Sequence, residues 1–356
     1  MPAGLFGLIN SNRDFTVPSS WGKNQFNSSF PAALLCYMQY KGFADIYLKY
    51  KRDEGVVQDR IESNEVLGIR WDSPDTYFGF EQEYMPYTDV LAGKSYPIDL
   101  VVKNQTTNKY IRALEIKLTA IPDSTTSEFE QRRYGDEIVV RTPTIAYIVS
   151  SICLYFKNKR HTLRNILDTH LDHIHDWVNS HEVLLNLPKM VQIAKEVCAE
   201  MEKHQTPLII QPIWKTKGKS PILEDQCLDV FVWSDVAFMF LLLERIGPKE
   251  AKAQDVSRPI RTVIWLVKML YDFNRTGLIN AGDLMDRLSY GPKNDKAIAL
   301  NGNVTNRYLQ GDNILRPRVS KYEIKTIIQG EGIRYLSPER RFDSSIVNDP
   351  DLYENH

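Results

Sequence analysis

The chain has 356 residues, 43 % apolar and 25 % charged, with 44 Lys and Arg against 45 Asp and Glu. That length and composition support a sizeable core in one large domain or two moderate ones. A net charge of −1 excludes a uniformly basic surface, so any phosphate-binding face must come from local clusters. The longest apolar stretch, Val236 to Leu243, is far too short for a bilayer and is bracketed by Asp235 and Glu244. The first twenty residues lack the charged and apolar regions of a secretory signal. Cys36, Cys153, Cys198 and Cys227 are widely spaced among apolar neighbours, which fits reduced core thiols in a cytoplasmic protein better than disulfides or a zinc site.

In chain order, Phe30 to Gln39 has the pattern of a helix, whereas Tyr96 to Lys103 and Tyr110 to Leu118 read as strands. Thr144 to Ile152, apolar and β-branched, reads as a third, buried strand. The remaining elements are helices over Thr162 to Asn179, Pro188 to Lys203, Asp229 to Ile246 and Ser257 to Thr276, with Gly247 and Gly277 at C-cap positions. A segment rich in Pro, Gly and Lys, Gln211 to Pro221, places a boundary between residues 1–210 and 211–356. Beyond Leu278 the chain is loop-rich, with a short β-like run at Tyr322 to Gln329. Residues 301–341 carry eight Lys and Arg against four Asp and Glu, and residues 342–356 carry four acids and no Lys or Arg.

The chemistry concentrates in the two adjacent strands. Tyr96-Pro97-Ile98-Asp99-Leu100-Val101-Val102 is followed by a polar stretch and then by Ala113-Leu114-Glu115-Ile116-Lys117-Leu118, which together read as a β-hairpin. Alternation puts Ala113, Glu115 and Lys117 on one face and Leu114, Ile116 and Leu118 on the other. A hairpin folded about Thr107 sets Asp99 opposite Glu115, unless a bulge moves the register. Two such carboxylates suit a magnesium ion, which polarises a phosphate and acidifies a water, and Lys117 is placed to orient that water or stabilise the charge that develops. A solvated strand face would carry the same residues, and acid-any-lysine triplets recur at Glu250 to Lys252 and at Glu323 to Lys325. The second of these follows Asp312 and is a rival site.

This order of residues resembles the PD-(D/E)XK nuclease superfamily, with Ile98 between Pro97 and Asp99. The resemblance implies an α/β (α+β) fold, a mixed central sheet flanked by helices with helical and loop-rich elaboration, and an upstream acid as a further metal ligand, Glu83 or its neighbour Glu81. The segments Leu5-Phe6-Gly7-Leu8, Asn10-Ser11-Asn12-Arg13-Asp14 and Trp21 to Pro31 are similar to the opening of type II restriction endonucleases of the HindVP and HgiDI kind. That similarity implies a homodimeric, magnesium-dependent enzyme acting on a short palindrome in double-stranded DNA, with GRCGYC as the family's site and a DNA methyltransferase acting on the same sequence. The competing expectations are a repair or recombination nuclease of the same superfamily and a DNA-binding protein without catalysis.

Candidate DNA contacts follow from side-chain chemistry. Lys23, Asn24 and Gln25 can reach a phosphate or base edge, or simply form a polar loop before a helix. Arg132 and Arg133 lie shortly after the lysine of the motif. Arg258, Arg261, Trp265 and Lys268 share one helical face, suited to a phosphate backbone or to an amphipathic helix with its tryptophan buried. Asn301, Asn303, Asn306, Arg307, Asn313, Arg316 and Arg318 supply the amides and guanidinium groups that read adenine and guanine, or the asparagines of ordinary turns. His161, His170, His173 and His175, interleaved with Asp168, Asp172 and Asp176, read as a solvated polar face and not as a zinc site.

Overall fold

A computed structural model of the chain describes residues 10–12, 32, 35, 45–51, 55–93, 95–118, 138–140, 142–171, 174–201, 208–211, 214–217, 220–223, 231–234, 239, 242–243, 246, 256–290 and 298–300. The strands are β1 (Asp45–Lys51), β2 (Gly55–Ile61), β3 (Thr76–Gln82), β4 (Ile98–Asn104), β5 (Lys109–Leu118), β6 (Ile138–Val140), β7 (Leu208–Gln211), β8 (Trp214–Lys217), β9 (Ser220–Leu223), β10 (Phe231–Ser234) and β11 (Ile298–Leu300). The helices are α1 (Ser63–Leu67), α2 (Thr142–Phe156), α3 (Arg160–His170), α4 (Ser180–Leu185), α5 (Leu187–Met201), α6 (Arg258–Thr276) and α7 (Ala281–Arg287), with a 3-10 turn at Met85–Asp89.

Seven strands form one sheet in the order β2-β1-β7-β10-β5-β4-β3. Every neighbouring pair in it is antiparallel, which corrects the expectation of a mixed sheet. β1–β2, β3–β4 and β4–β5 join strands consecutive in sequence, the connection that antiparallel pairing favours. The proposed division at residue 210 falls inside β7, and β10, which lies beyond it, pairs with β5 and β7, so both sides of that division contribute strands to one sheet. β4 is buried on both faces: Leu100, Val101 and Val102 are fully inaccessible, as its run of apolar side chains dictates for a strand with neighbours on each side.

The run Thr144 to Ile152, read above as a strand, lies within α2. Its residues are mostly apolar and all but Ser151 are buried, so no exposed 3.6-residue polar stripe distinguishes it from a buried strand. Pro143 in the first turn was the available helix signal. α2, α3, α5 and α6 pack on one another around Phe156, Met190, Trp265 and Phe273. α6 runs as its pattern predicts, from the N-cap Ser257 to Gly277, whose φ of 80° closes the helix in the left-handed region.

Three other boundaries differ from expectation. The helix expected over Thr162 to Asn179 ends at His170, and α4 begins separately at Ser180, capped by the Asn179 side chain. The segment from Asp229 opens as strand β10, with Met239, Leu242 and Leu243 helical and buried farther on. α7 occupies part of the stretch read as loop, and the Asn280 side chain caps it. Of Phe30 to Gln39, Ala32 and Leu35 are described, and both are helical and buried. Gly247 and Tyr322 to Gln329 lie outside the described residues. Among the described residues no helix is long and apolar enough to cross a membrane, and Cys153 and Cys198 are buried thiols.

Candidate active site

The hairpin of β4 and β5 turns through residues 105–108. Asn104 closes the turn: its Oδ1 accepts from the Thr107 backbone N–H at 2.8 Å and from the Thr107 hydroxyl at 2.9 Å. Asn108 has a φ of 52°, a conformation that asparagine tolerates better than other side chains. The pairing starts as Asn104↔Lys109 and Lys103↔Tyr110, then shifts to Val102↔Arg112, Val101↔Ala113 and Leu100↔Leu114. Ile111 is therefore the extra residue of a β-bulge. These pairs end at Leu100↔Leu114, and the same register continued one step puts position 99 opposite position 115. Without the bulge Leu114 would hold that place and Glu115 would turn to the apolar face. The register expected from a fold about Thr107 thus arises from a tighter turn plus one bulged residue.

The bulge rests on α1. Gly68 ends that helix with a φ of 72°, and a Cβ on it would lie 2.8 Å from Ile111 Cγ2 and 3.1 Å from Arg112 Nε. Glycine at this position serves both the left-handed backbone and the close approach of β5.

Glu115 is 5 % exposed, and its Oε1 accepts a hydrogen bond from the Thr144 hydroxyl at 2.9 Å. Thr144 lies in the first turn of α2, and one turn on the Tyr147 hydroxyl donates to the Ala113 carbonyl at 2.7 Å. Asp99 is half-buried at the start of β4. In β5, Lys117 pairs with Val232 of β10, and Glu115 pairs with Ser234.

On the other side of β4, Phe80↔Leu100 and Gln82↔Ile98 bracket the position opposite Asp99, which belongs to Glu81. Glu81 has a φ of 51°, and Glu83 is exposed past the end of β3. Among the described residues no three His, Cys, Asp or Glu side chains are grouped to hold a metal ion. The expected third ligand Glu83 is therefore not brought to Asp99 and Glu115: β3 has already ended, and a left-handed residue interrupts its alternation. Two carboxylates on neighbouring strands remain, a hard-oxygen set that fits a cation retaining several waters.

The stripe on α6 is corrected. Arg261 is 5 % exposed, donates through Nη1 to the Ser289 carbonyl at 3.1 Å, and lies 4.9 Å over the ring of Trp265. Trp265 is fully buried and donates Nε1–H to the Leu288 carbonyl at 2.7 Å. Lys268 pairs with Asp272 in the same helix and sits over Trp177 and Tyr271. Arg261 and Trp265 are thereby committed to the helical core and to α7, and Arg258 and Lys268 are half-buried. Lys23, Asn24, Gln25, Arg132, Arg133, Asn301, Asn303, Asn306, Arg307, Asn313, Arg316 and Arg318 lie outside the described residues, as does the rival triplet at Glu323. In the histidine group, His170 bonds Glu196 at 2.5 Å, and His161 and His175 are exposed.

Thr144, Tyr147 and Asn12 had no mark in the sequence reading of the site. Asn12 holds the backbone of Phe80, beside Glu81: its Oδ1 accepts from the Phe80 N–H at 2.9 Å and its Nδ2 donates to the Phe80 carbonyl at 3.0 Å. The polar run Asn10-Ser11-Asn12 was the available signal for this, whereas Thr144 and Tyr147 were hidden in a segment read as strand.

Comparison with known proteins gives the chain its relatives. Residues 21–353 match the model of the HindVP restriction endonuclease family. The type II restriction enzyme HgiDI of Herpetosiphon aurantiacus is 41 % identical over 352 residues, covering 99 % of this chain and 97 % of that protein. The probable type II restriction enzyme HindVP of Haemophilus influenzae is 39 % identical over 351 residues, covering 98 % and 94 %. No solved structure matches the chain.

Proposed function

From its membership of the HindVP restriction endonuclease family, we propose that the chain is a type II restriction endonuclease whose hydrolytic centre is built from Asp99, Glu115 and Lys117. The observation that supports the assignment of residues is the β4–β5 register with its bulge at Ile111, which, continued one step past Leu100↔Leu114, puts the buried Glu115 opposite Asp99. This is the acid-spacer-acid-any-lysine order of the PD-(D/E)XK superfamily.

Asp99 and Glu115 would hold a magnesium ion, which when bound supplies positive charge to the scissile phosphate and lowers the pKa of a water. Glu115 contributes a carboxylate held in place by the Thr144 hydroxyl, so little reorientation accompanies the reaction. Asp99 contributes the second carboxylate from a strand anchored by Leu100 and Val101 in the core. Lys117 orients the attacking water and offsets charge developing on the phosphate. Nearly full-length coverage of both relatives supports carrying over an action on double-stranded DNA. The finer reading is a homodimer cutting a palindrome, with GRCGYC the first sequence to test and a methyltransferase protecting it. Base reading belongs to Asn303, Arg307, Arg316 and Arg318 in the basic segment, with Lys23, Asn24, Gln25, Arg132, Arg133 and Arg258 on phosphates.

The test is digestion of phage DNA with the purified protein in magnesium and, separately, in calcium. Discrete fragments in magnesium alone, with ends that sequence to one palindrome, are the expected result. Intact DNA in both, or random degradation, would refute the reading.

A further inference from the structure

We propose that Thr144 is a positioning residue for the cleavage reaction, setting the Glu115 carboxylate from the first turn of α2, an inference that rests on Glu115 being a metal ligand. Thr144 is fully buried and Glu115 is 5 % exposed, and the 2.9 Å bond between them is shielded from water. A charge-assisted hydrogen bond in such surroundings is about twice as strong as a neutral one. It removes rotamer freedom that a glutamate side chain otherwise keeps.

The placement of this hydroxyl differs from that of four hydroxyls farther along their helices. Ser150, Thr169, Thr262 and Thr276 all donate to the carbonyl four residues back in their own helices, the usual fate of Ser and Thr inside a helix. Thr144 is the third residue of α2, where the helix offers no carbonyl four residues back. Its hydroxyl is directed across to β5. Tyr147, three residues on and on the same helical face, binds the Ala113 carbonyl at 2.7 Å. α2 is thus fastened to β5 twice, at the backbone two residues before Glu115 and at the Glu115 side chain itself. The N-terminal end of a 15-residue helix also carries the partial positive charge that favours a nearby carboxylate.

The experiment compares wild type, Thr144→Val, Thr144→Ser and Glu115→Gln. Manganese and calcium affinity are measured by calorimetry without DNA, and the single-turnover cleavage rate is measured at saturating DNA with magnesium. Thr144→Val keeps the shape and removes the donor, so cation affinity and rate should each fall about 10- to 100-fold, the range typical of lost partners of metal ligands. Thr144→Ser restores the donor and should recover most of both. If Thr144→Val has no melting transition, Thr144→Cys, with its weak donor, replaces it with the same expected loss. Wild-type affinity and rate in the donor-less variant, while Glu115→Gln has lost both, would overturn the role of Thr144 alone. Equal damage in Thr144→Ser and Thr144→Val would reduce it to packing. An unimpaired Glu115→Gln would overturn the metal-ligand reading beneath it.

Discussion

Replacing Gly68 by alanine tests whether the bulge that aligns the two carboxylates is held from outside the hairpin. Three contributions set the magnitude. A non-glycine residue at a φ of 72° costs about 1 kcal/mol. The new Cβ would stand 2.8 Å from Ile111 Cγ2, and forcing that contact apart costs about 1 to 3 kcal/mol. Alanine offsets about 0.7 kcal/mol by restricting the unfolded chain. The net is a loss of about 2 kcal/mol. Unfolding entropy of about 2.1 cal/mol/K per residue over 356 residues converts this to a fall of about 3 °C in melting temperature. Ile111→Ala removes the Cγ2 atom, so Gly68→Ala should cost only about 0.5 kcal/mol in that background. A double-mutant cycle by calorimetry reads the difference as a coupling of about 1.5 kcal/mol. Zero coupling would refute the claim that Gly68 and the bulged residue are in forced contact.

Arg261→Ala should lower stability by about 2 kcal/mol through loss of a charged donor to the partly buried Ser289 carbonyl. It should leave the salt dependence of DNA binding unchanged; a reduced slope would mean that Arg261 meets phosphate after all. Tyr147→Phe leaves the Ala113 carbonyl without its 2.7 Å donor and should cost about 1 to 2 kcal/mol in urea unfolding, an effect that an unchanged midpoint would disprove. Burial pushes the Cys153 thiol well above its ordinary value of 9.0, and burial likewise raises the Tyr84 and Tyr290 hydroxyls. Groups raised on folding stabilise fully below their unfolded pKa, and that stability is lost as pH rises past it. Stability should therefore fall above about pH 9, initially by about 1.4 kcal/mol per pH unit, and Cys153→Ala should delay the onset. A flat profile from pH 8 to 11 would contradict this.

What could be read from sequence was set by how far each signal is local. The alternation in Ala113 to Leu118 reports directly on which side chains share a strand face. α6 declared itself through an amphipathic run ending in glycine, but which of its faces is buried depends on α5, α2 and α7 packing around it. Arg261 therefore looked like a phosphate ligand and is a core residue. α2 was misread because a wholly buried helix lacks the polar stripe that identifies one, and with it went Thr144 and Tyr147. The register that directs Asp99 toward Glu115 was reached from a symmetric turn, whereas the observed pairs reach Leu100↔Leu114 through a tighter turn and a bulge. No residue pattern announces a bulge of this kind, and the neighbour it packs against, Gly68, is distant in sequence.

Single-turnover cleavage of duplex DNA by Asp99→Asn, Glu115→Gln, Lys117→Ala and Lys325→Ala tests the centre most directly, with DNA affinity measured alongside. The first three should bind DNA but cut at least about 1,000-fold more slowly, as loss of a group acting in the transition state implies, and Lys325→Ala should cut normally. Full cutting by Lys117→Ala together with a dead Lys325→Ala would contradict the assignment and move the centre to the segment around Glu323.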